Sequence, residues 1–146
     1  MIFLLDTEFN GFGGELISIA LVPLEKDYPP FYEALVCESP TEWVAQNVLP
    51  VLQTNPVARK VLTDRICEYL DDGDDITLVA DWPEDIAHAA ALLSYKGKRH
   101  IFKQRIRFEL IDGTGFDCSK ESEVPHNAYY DALALREFFE KQIARS

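Results

Sequence analysis

The sequence predicts an α/β protein, a mixed five-stranded sheet with helices on its faces, built as one domain over residues 1–146. Three observations predict it. The chain opens on an uninterrupted apolar run, Ile2-Phe3-Leu4-Leu5, the pattern of a strand buried on both faces. Two further strand-like segments follow through short turns, which suggests an antiparallel meander. Beyond them the apolar period lengthens, and helix and strand then alternate, giving the order βββαβαβα.

The elements follow in order. The first strand ends at Asp6-Thr7-Glu8, and Asn10-Gly11-Phe12-Gly13-Gly14 is a glycine-rich turn. Glu15 to Leu24 is dense in Ile, Leu and Val and reads as the second strand; Phe31 to Cys37 reads as the third. Ser39-Pro40-Thr41-Glu42 has Ser at an N-cap, Pro at the first helical position and Glu at the third, so a short helix is expected to about Leu49. A second helix is expected from about Pro56 to Leu70, with Val61, Leu62, Ile66, Tyr69 and Leu70 at helical spacing. Ile76 to Ala80 is a buried strand, and a helix starts near Asp85. Arg105 to Ile111 is the fifth strand. After a polar loop, a last helix runs from about Ala128 to Ile143, with Ala128, Ala132, Leu135, Phe139 and Ile143 on one apolar stripe.

Composition narrows the classes. Apolar content of 47% with 12% aromatics excludes a disordered chain. No run approaches the roughly 20 apolar residues of a membrane span, and the N-terminus lacks signal-peptide features, so a cytoplasmic protein with no membrane partner is expected. Cys37, Cys67 and Cys118 have no paired spacing and read as reduced thiols. A net charge of −11 argues against binding polyanions through the whole surface. Six of the 14 basic residues nevertheless fall between Lys96 and Arg107 (Lys96, Lys98, Arg99, Lys103, Arg105, Arg107), with no acid among them. That segment is either a solvated loop and edge strand or a phosphate-contacting patch.

The chemistry concentrates at the strand ends. Side chains alternate along a strand, so Asp6 and Glu8 share a face, about 7 Å apart by Cα. With 25 acids in the chain, an Asp-x-Glu triplet arises about once by chance, and its weight comes from its place directly after a buried strand. Two carboxylates there repel and are desolvated, and a divalent cation is the ordinary way to keep both ionised. On the last helix, Asp131 lies at the edge of the apolar stripe, on the flank that faces the sheet. His126 is expected on the preceding loop, with Asn127 as N-cap, where a mobile imidazole beside a carboxylate suits general-base work. Three more acids, Asp81, Glu84 and Asp85, crowd the junction after the fourth strand.

At these residues the chain resembles the DEDDh 3′–5′ exonucleases, a family that includes proofreading exonucleases, ribonuclease T and oligoribonuclease. Asp6-Thr7-Glu8 matches the family's Asp-x-Glu motif, and His126 with Asp131 matches its His-x4-Asp motif. Asn127 stands where the tyrosine branch would carry Tyr. The second motif usually reads His-Asn-x-x-Phe-Asp; Ala80-Asp81-Trp82-Pro83-Glu84-Asp85 keeps only its last Asp, so either Asp81 or Asp85 is the third carboxylate. Asp-Thr-Glu-Phe, Glu-Leu-Ile-Ser-Ile and the short chain look like the small exoribonucleases known from mycobacteria. The resemblance covers residues 1 to about 140 and implies a ribonuclease H-like fold.

It also implies a chemistry. Asp6, Glu8, Asp85 and Asp131 would hold two Mg²⁺ or Mn²⁺ ions about 4 Å apart, and His126 would be the general base. The reaction would be hydrolysis of single-stranded RNA from its 3′ end to nucleoside 5′-monophosphates. Candidate substrate contacts are Thr7, the rings of Phe9, Phe12 and Trp43 as stacking platforms, and Lys98, Arg99 and Lys103 along the backbone. Core packing is the competing reading for Phe9 and Trp43. A single-stranded DNA exonuclease, and an idle nucleic-acid or protein interaction module on the same fold, are the alternatives, and pairing of two copies as a homodimer is left open.

Overall fold

The computed structural model describes residues 1–95 and 97–146. A five-stranded sheet forms its centre, with the strands in the spatial order β3 (Phe31–Ala34), β2 (Leu16–Pro23), β1 (Ile2–Phe9), β4 (Ile76–Ala80) and β7 (Ile106–Leu110). β1, β2 and β3 are antiparallel neighbours, whereas β4 joins β1, and β7 joins β4, in parallel. The helices are α1 (Glu42–Asn47), α2 (Arg59–Leu70), α3 (Pro83–Leu92), α4 (Cys118–Glu121) and α5 (Ala128–Arg145). The expected mixed α/β sheet with flanking helices is present, and no described helix is long and apolar enough to cross a membrane.

Strand alternation divides the core. Phe3 and Leu5 of β1 pack with Leu62, Ile66 and Leu70 of α2 and with Ala89 and Leu92 of α3. Leu4 points to the other face, against Val79 of β4 and Leu135 and Phe139 of α5. Ala128 and Ala132 of α5 lie on Ala20 and Val22 of β2. Small side chains on both sides let α5 approach the sheet closely. The same parity puts Asp6 and Glu8 on the α5 face and Thr7 on the α2–α3 face.

Several expected boundaries move. α1 is capped by Thr41, not Ser39: the Thr41 side chain accepts from the Val44 N–H, while Asn10 takes the Thr41 N–H and donates to the Ser39 carbonyl. Val57 bonds the Ala34 carbonyl and bridges to Leu35, so α2 starts at Arg59 and not at Pro56. α3 starts two residues earlier than Asp85, with Pro83 supplying the preset φ of a first turn. β3 ends at Ala34 rather than Cys37. Val61 and Ile143 are exposed and lie outside the core, because each falls at the solvent edge of its helix stripe. The polar loop before α5 contains α4, capped by Asp117, and Ser94–Tyr95 (β5) and Lys98–Arg99 (β6) form a separate two-stranded ribbon.

Candidate functional site

The C-terminal end of β1 gathers the acids. Opposite Asp6 and Glu8 on β2 stand Ala20 and Ser18, small residues that leave room above the sheet. α5 fills part of that room and brings Asp131, in its first turn, over the pair. One carboxylate oxygen each of Asp6, Glu8 and Asp131 lie within 4.8 Å of one another. Asp131 is only 4% exposed. Its Oδ2 accepts from the His126 N–H at 3.1 Å, while its Oδ1 and the Oδ2 of Asp6 are buried without a hydrogen-bond partner.

The loop before α5 is tightly specified. Asn127 caps the helix, its Oδ1 accepting from the Tyr129 and Tyr130 N–H groups, while its amide donates to the Val51 carbonyl. His126 therefore sits on the loop, as expected, and takes φ of +68°, a left-handed conformation rare outside glycine. Backbone strain of this kind persists only where the surroundings enforce it. Here the Asp131 carboxylate holds the His126 N–H, and the Trp43 ring meets the imidazole edge-on at 4.9 Å.

Asp85 and Asp81 occupy different places. The Asp85 Oδ1 accepts from the Thr7 N–H at 3.2 Å and from the Thr7 hydroxyl at 2.5 Å. Thr7 is thus buried, with its N–H and hydroxyl both committed to the Asp85 carboxylate. Asp85 is nevertheless the charge that weighs most on Asp6, ahead of Glu8, Asp131 and Asp81. Asp81 directly follows β4, near enough to Asp6 and Asp131 for the charges to act on one another, with Gly113 packed against it; a Cβ on Gly113 would stand 3.4 Å from the Asp81 Cβ.

Such crowding disfavours the charged forms. Burial, then Asp85, Glu8 and Asp131, hold the Asp6 carboxyl well above the usual range. Burial and Asp131 push Glu8 up to about 9, and burial pushes Asp85 up to about 7 against the opposing Thr7 hydrogen bonds. Cys118, in α4, reaches the same acids: burial beside Asp131 and Asp6 raises its thiol, which stays protonated. The free thiol was expected; its place here was not, because only the loop's return over the sheet end brings it in.

Beside the acids opens a cavity of 310 Å³ lined by Thr7, Glu8, Phe9, Gly11, Phe12, Trp43, Trp82 and Glu84. Phe12 projects from the turn 92% exposed. That turn is shaped by Gly14, where an added Cβ would fall 2.0 Å from the Asn10 carbonyl oxygen. Phe9 stacks on His88 at 5.3 Å, whereas Trp43 and Trp82 are about half exposed. Trp82 is the wall that sequence reading overlooked. Its signal was an aromatic residue directly before the Pro that opens α3.

The basic segment is elsewhere. Arg105 and Arg107 enter β7 at its N-terminal end, where the Arg105 N–H donates to Asp75 and the Arg107 guanidinium lies 3.9 Å from the same carboxylate. Lys98, Arg99 and His100 line a 500 Å³ cavity against Thr63, Asp64, Cys67, Glu68 and Asp71. Asp71 and Asp75 precede β4, while Asp81 and Asp85 follow it, so roughly 15 Å of strand separates the two groups. The structure does not bring Lys98, Arg99 or Lys103 to the acids, and Lys96 lies outside the described residues. No protein-family model matches the chain, and a search of curated proteins finds no match.

Proposed function

We propose that the chain is a metal-dependent 3′–5′ exonuclease with a ribonuclease H-like fold that hydrolyses single-stranded nucleic acid, RNA by preference, to nucleoside 5′-monophosphates. One observation carries the reading: three carboxylates within 4.8 Å, with buried unpartnered oxygens on two of them, beside a histidine and an aromatic cavity. An all-oxygen set of this kind fits Mg²⁺ or Mn²⁺, with Asp6, Glu8 and Asp131 as its holders and Asp85 adjacent. When bound, such ions supply positive charge at the phosphoryl oxygens and acidify a water.

The chain's own residues do the remainder. Trp43 and Trp82 take the faces of unpaired bases, which excludes duplex and imposes little sequence preference. His126 accepts the proton of the attacking water, with its backbone fixed by Asp131 and its ring by Trp43. Thr7 holds Asp85 so that the carboxylate cannot swing away from Asp6. The preference for RNA rests on the resemblance to small exoribonucleases.

The test is digestion of 5′-labelled RNA and DNA with and without Mn²⁺. The expected result is a ladder shortening by one nucleotide from a free 3′ hydroxyl, lost on chelation and in Asp6→Asn, with RNA cut faster. Equal rates on a 3′-phosphate-blocked strand, or full activity in excess chelator, overturn the reading. Equal rates on DNA remove only the preference.

A further inference from the structure

We infer that the chain pairs with a second copy of itself along β7, joining two five-stranded sheets into one continuous sheet. β7 is the edge of the sheet, with β4 as its one ladder partner among the described residues. Its register with β4 is continuous from Ile106 to Leu110, so it lacks a bulge, and the strand contains no Pro. Bulges and prolines, two of the devices that blunt an edge, are thus absent, and the charges the strand carries, Arg107 and Glu109, are of opposite sign. Arg107, Phe108, Glu109 and Leu110 are all exposed, Phe108 and Leu110 at 37% and 52%.

The backbone is equally open. In the parallel ladder the Arg105 carbonyl accepts from the Ile76 N–H, and the Ile111 N–H donates to the Ala80 carbonyl. The odd-numbered residues therefore turn their polar groups to β4, and Ile106, Phe108 and Leu110 turn theirs outward. Those outward groups have no hydrogen-bond partner among the described residues.

Charge selects the partner and the register. Two copies related by a two-fold axis pair antiparallel, with outward residues opposite outward residues. Centring the axis on Arg107 sets two arginines opposite each other between two Arg105–Glu109 pairs, and centring it on Glu109 sets two glutamates opposite each other; each register leaves one like-charged pair. Centring it on Phe108 sets Arg107 against the partner's Glu109, and Glu109 against the partner's Arg107. In that register Ile106 meets the partner's Leu110, and Phe108 meets its own copy, so the apolar residues share one face and the charges the other. The order Ile106-Arg107-Phe108-Glu109-Leu110 is thus complementary to itself in the antiparallel sense. Long-range repulsion between two copies at −11 each is screened beyond about 8 Å at physiological salt.

Sedimentation velocity over a hundredfold concentration range tests this. Wild type is expected to dimerise reversibly. Arg107→Glu and Glu109→Arg should each weaken the dimer about 10- to 100-fold, because both symmetric pairs become like-charged. Mixed one to one, the two variants should restore it, since every facing pair is then opposite in charge. Phe108→Pro removes an outward N–H that the chain itself leaves unused, so it should yield a monomer with an unchanged circular-dichroism spectrum. A wild-type monomer throughout the range overturns the inference. So does a dimer indifferent to both charge reversals, or a mixture no tighter than either variant alone; the mixture decides even where the proline variant fails to fold.

Discussion

Asp6, Glu8 and Asp85 share a property that sets a pH dependence. Each carboxyl is held above its ordinary value in the folded chain, Glu8 to about 9 and Asp85 to about 7, so folding takes up protons. For such groups the stability is fully present below the unfolded values near 4 and is lost as pH rises through the folded ones. Metal-free protein should therefore lose stability between about pH 5 and pH 9. Glu8→Gln should match wild type near pH 4 and exceed it by roughly 1–3 kcal/mol at pH 8, read from denaturant melts along the pH series. Parallel curves for the two proteins would show that Glu8 is not strained by its neighbours. Thr7 gives a second expectation. Thr7→Val should lower turnover with little change in KM, because Asp85 loses its hydroxyl anchor, and Thr7→Ser should restore it. The acid pair was legible in the sequence because a two-residue period needs no tertiary information. The burial of Thr7 was implicit in the same period, since the neighbour between two site-facing residues must face the opposite core.

Helix α5 converts packing into chemistry. Ala128 and Ala132 seat it on Ala20 and Val22, and that packing sets the height of Asp131 above β1. Ala132→Leu should cost about 1–3 kcal/mol through overpacking and should also lift Asp131 from the pair. Mn²⁺ affinity by calorimetry should fall more than the melting temperature alone would suggest, whereas an equally destabilising change at Phe139, at the far end of the stripe, should leave it unchanged. The helix and its stripe were readable from a 3.6-residue period. Its consequence for the site was not, because the period says which side is buried and not how deep. The α1 cap shows the same boundary: Ser39, followed by Pro40 and Glu42, is the cap the sequence points to, yet Thr41 takes the role because Asn10, 31 residues before Thr41, bonds both segments. Cys118 was missed on the same ground, since it reaches the site through a loop return that no local pattern encodes.

Taken end to end, the sheet separates charge. Asp6, Glu8, Asp81, Asp85 and Asp131 crowd the C-terminal ends of the parallel strands, and the basic segment lies about 15 Å away beside Asp71 and Asp75. The sequence revealed both charge groups; whether they were adjacent depended on the direction of β7, and the parallel ladder with β4 places its arginines at the far end. For the proposed exonuclease this orders the contributions to binding. A dinucleotide, too short to span the sheet, should be held by the metal ions on its phosphate and by the indole walls. Trp82→Ala should raise its KM by about 1–3 kcal/mol, roughly 5- to 150-fold, the usual worth of one base–aromatic stack. Neutralising Lys98, Arg99 and Lys103 together should leave that KM and its salt dependence unchanged, because none of the three reaches a phosphate of so short a strand. Longer strands test whether the basic end is reached at all. If it is, KM should rise in the triple variant only above a threshold length, with a salt slope reduced by about one for each phosphate that the variant no longer neutralises. A KM increase already present with the dinucleotide would mean that substrate enters from the basic end, and that the cavity walled by Trp43 and Trp82 is not where the 3′ terminus lies.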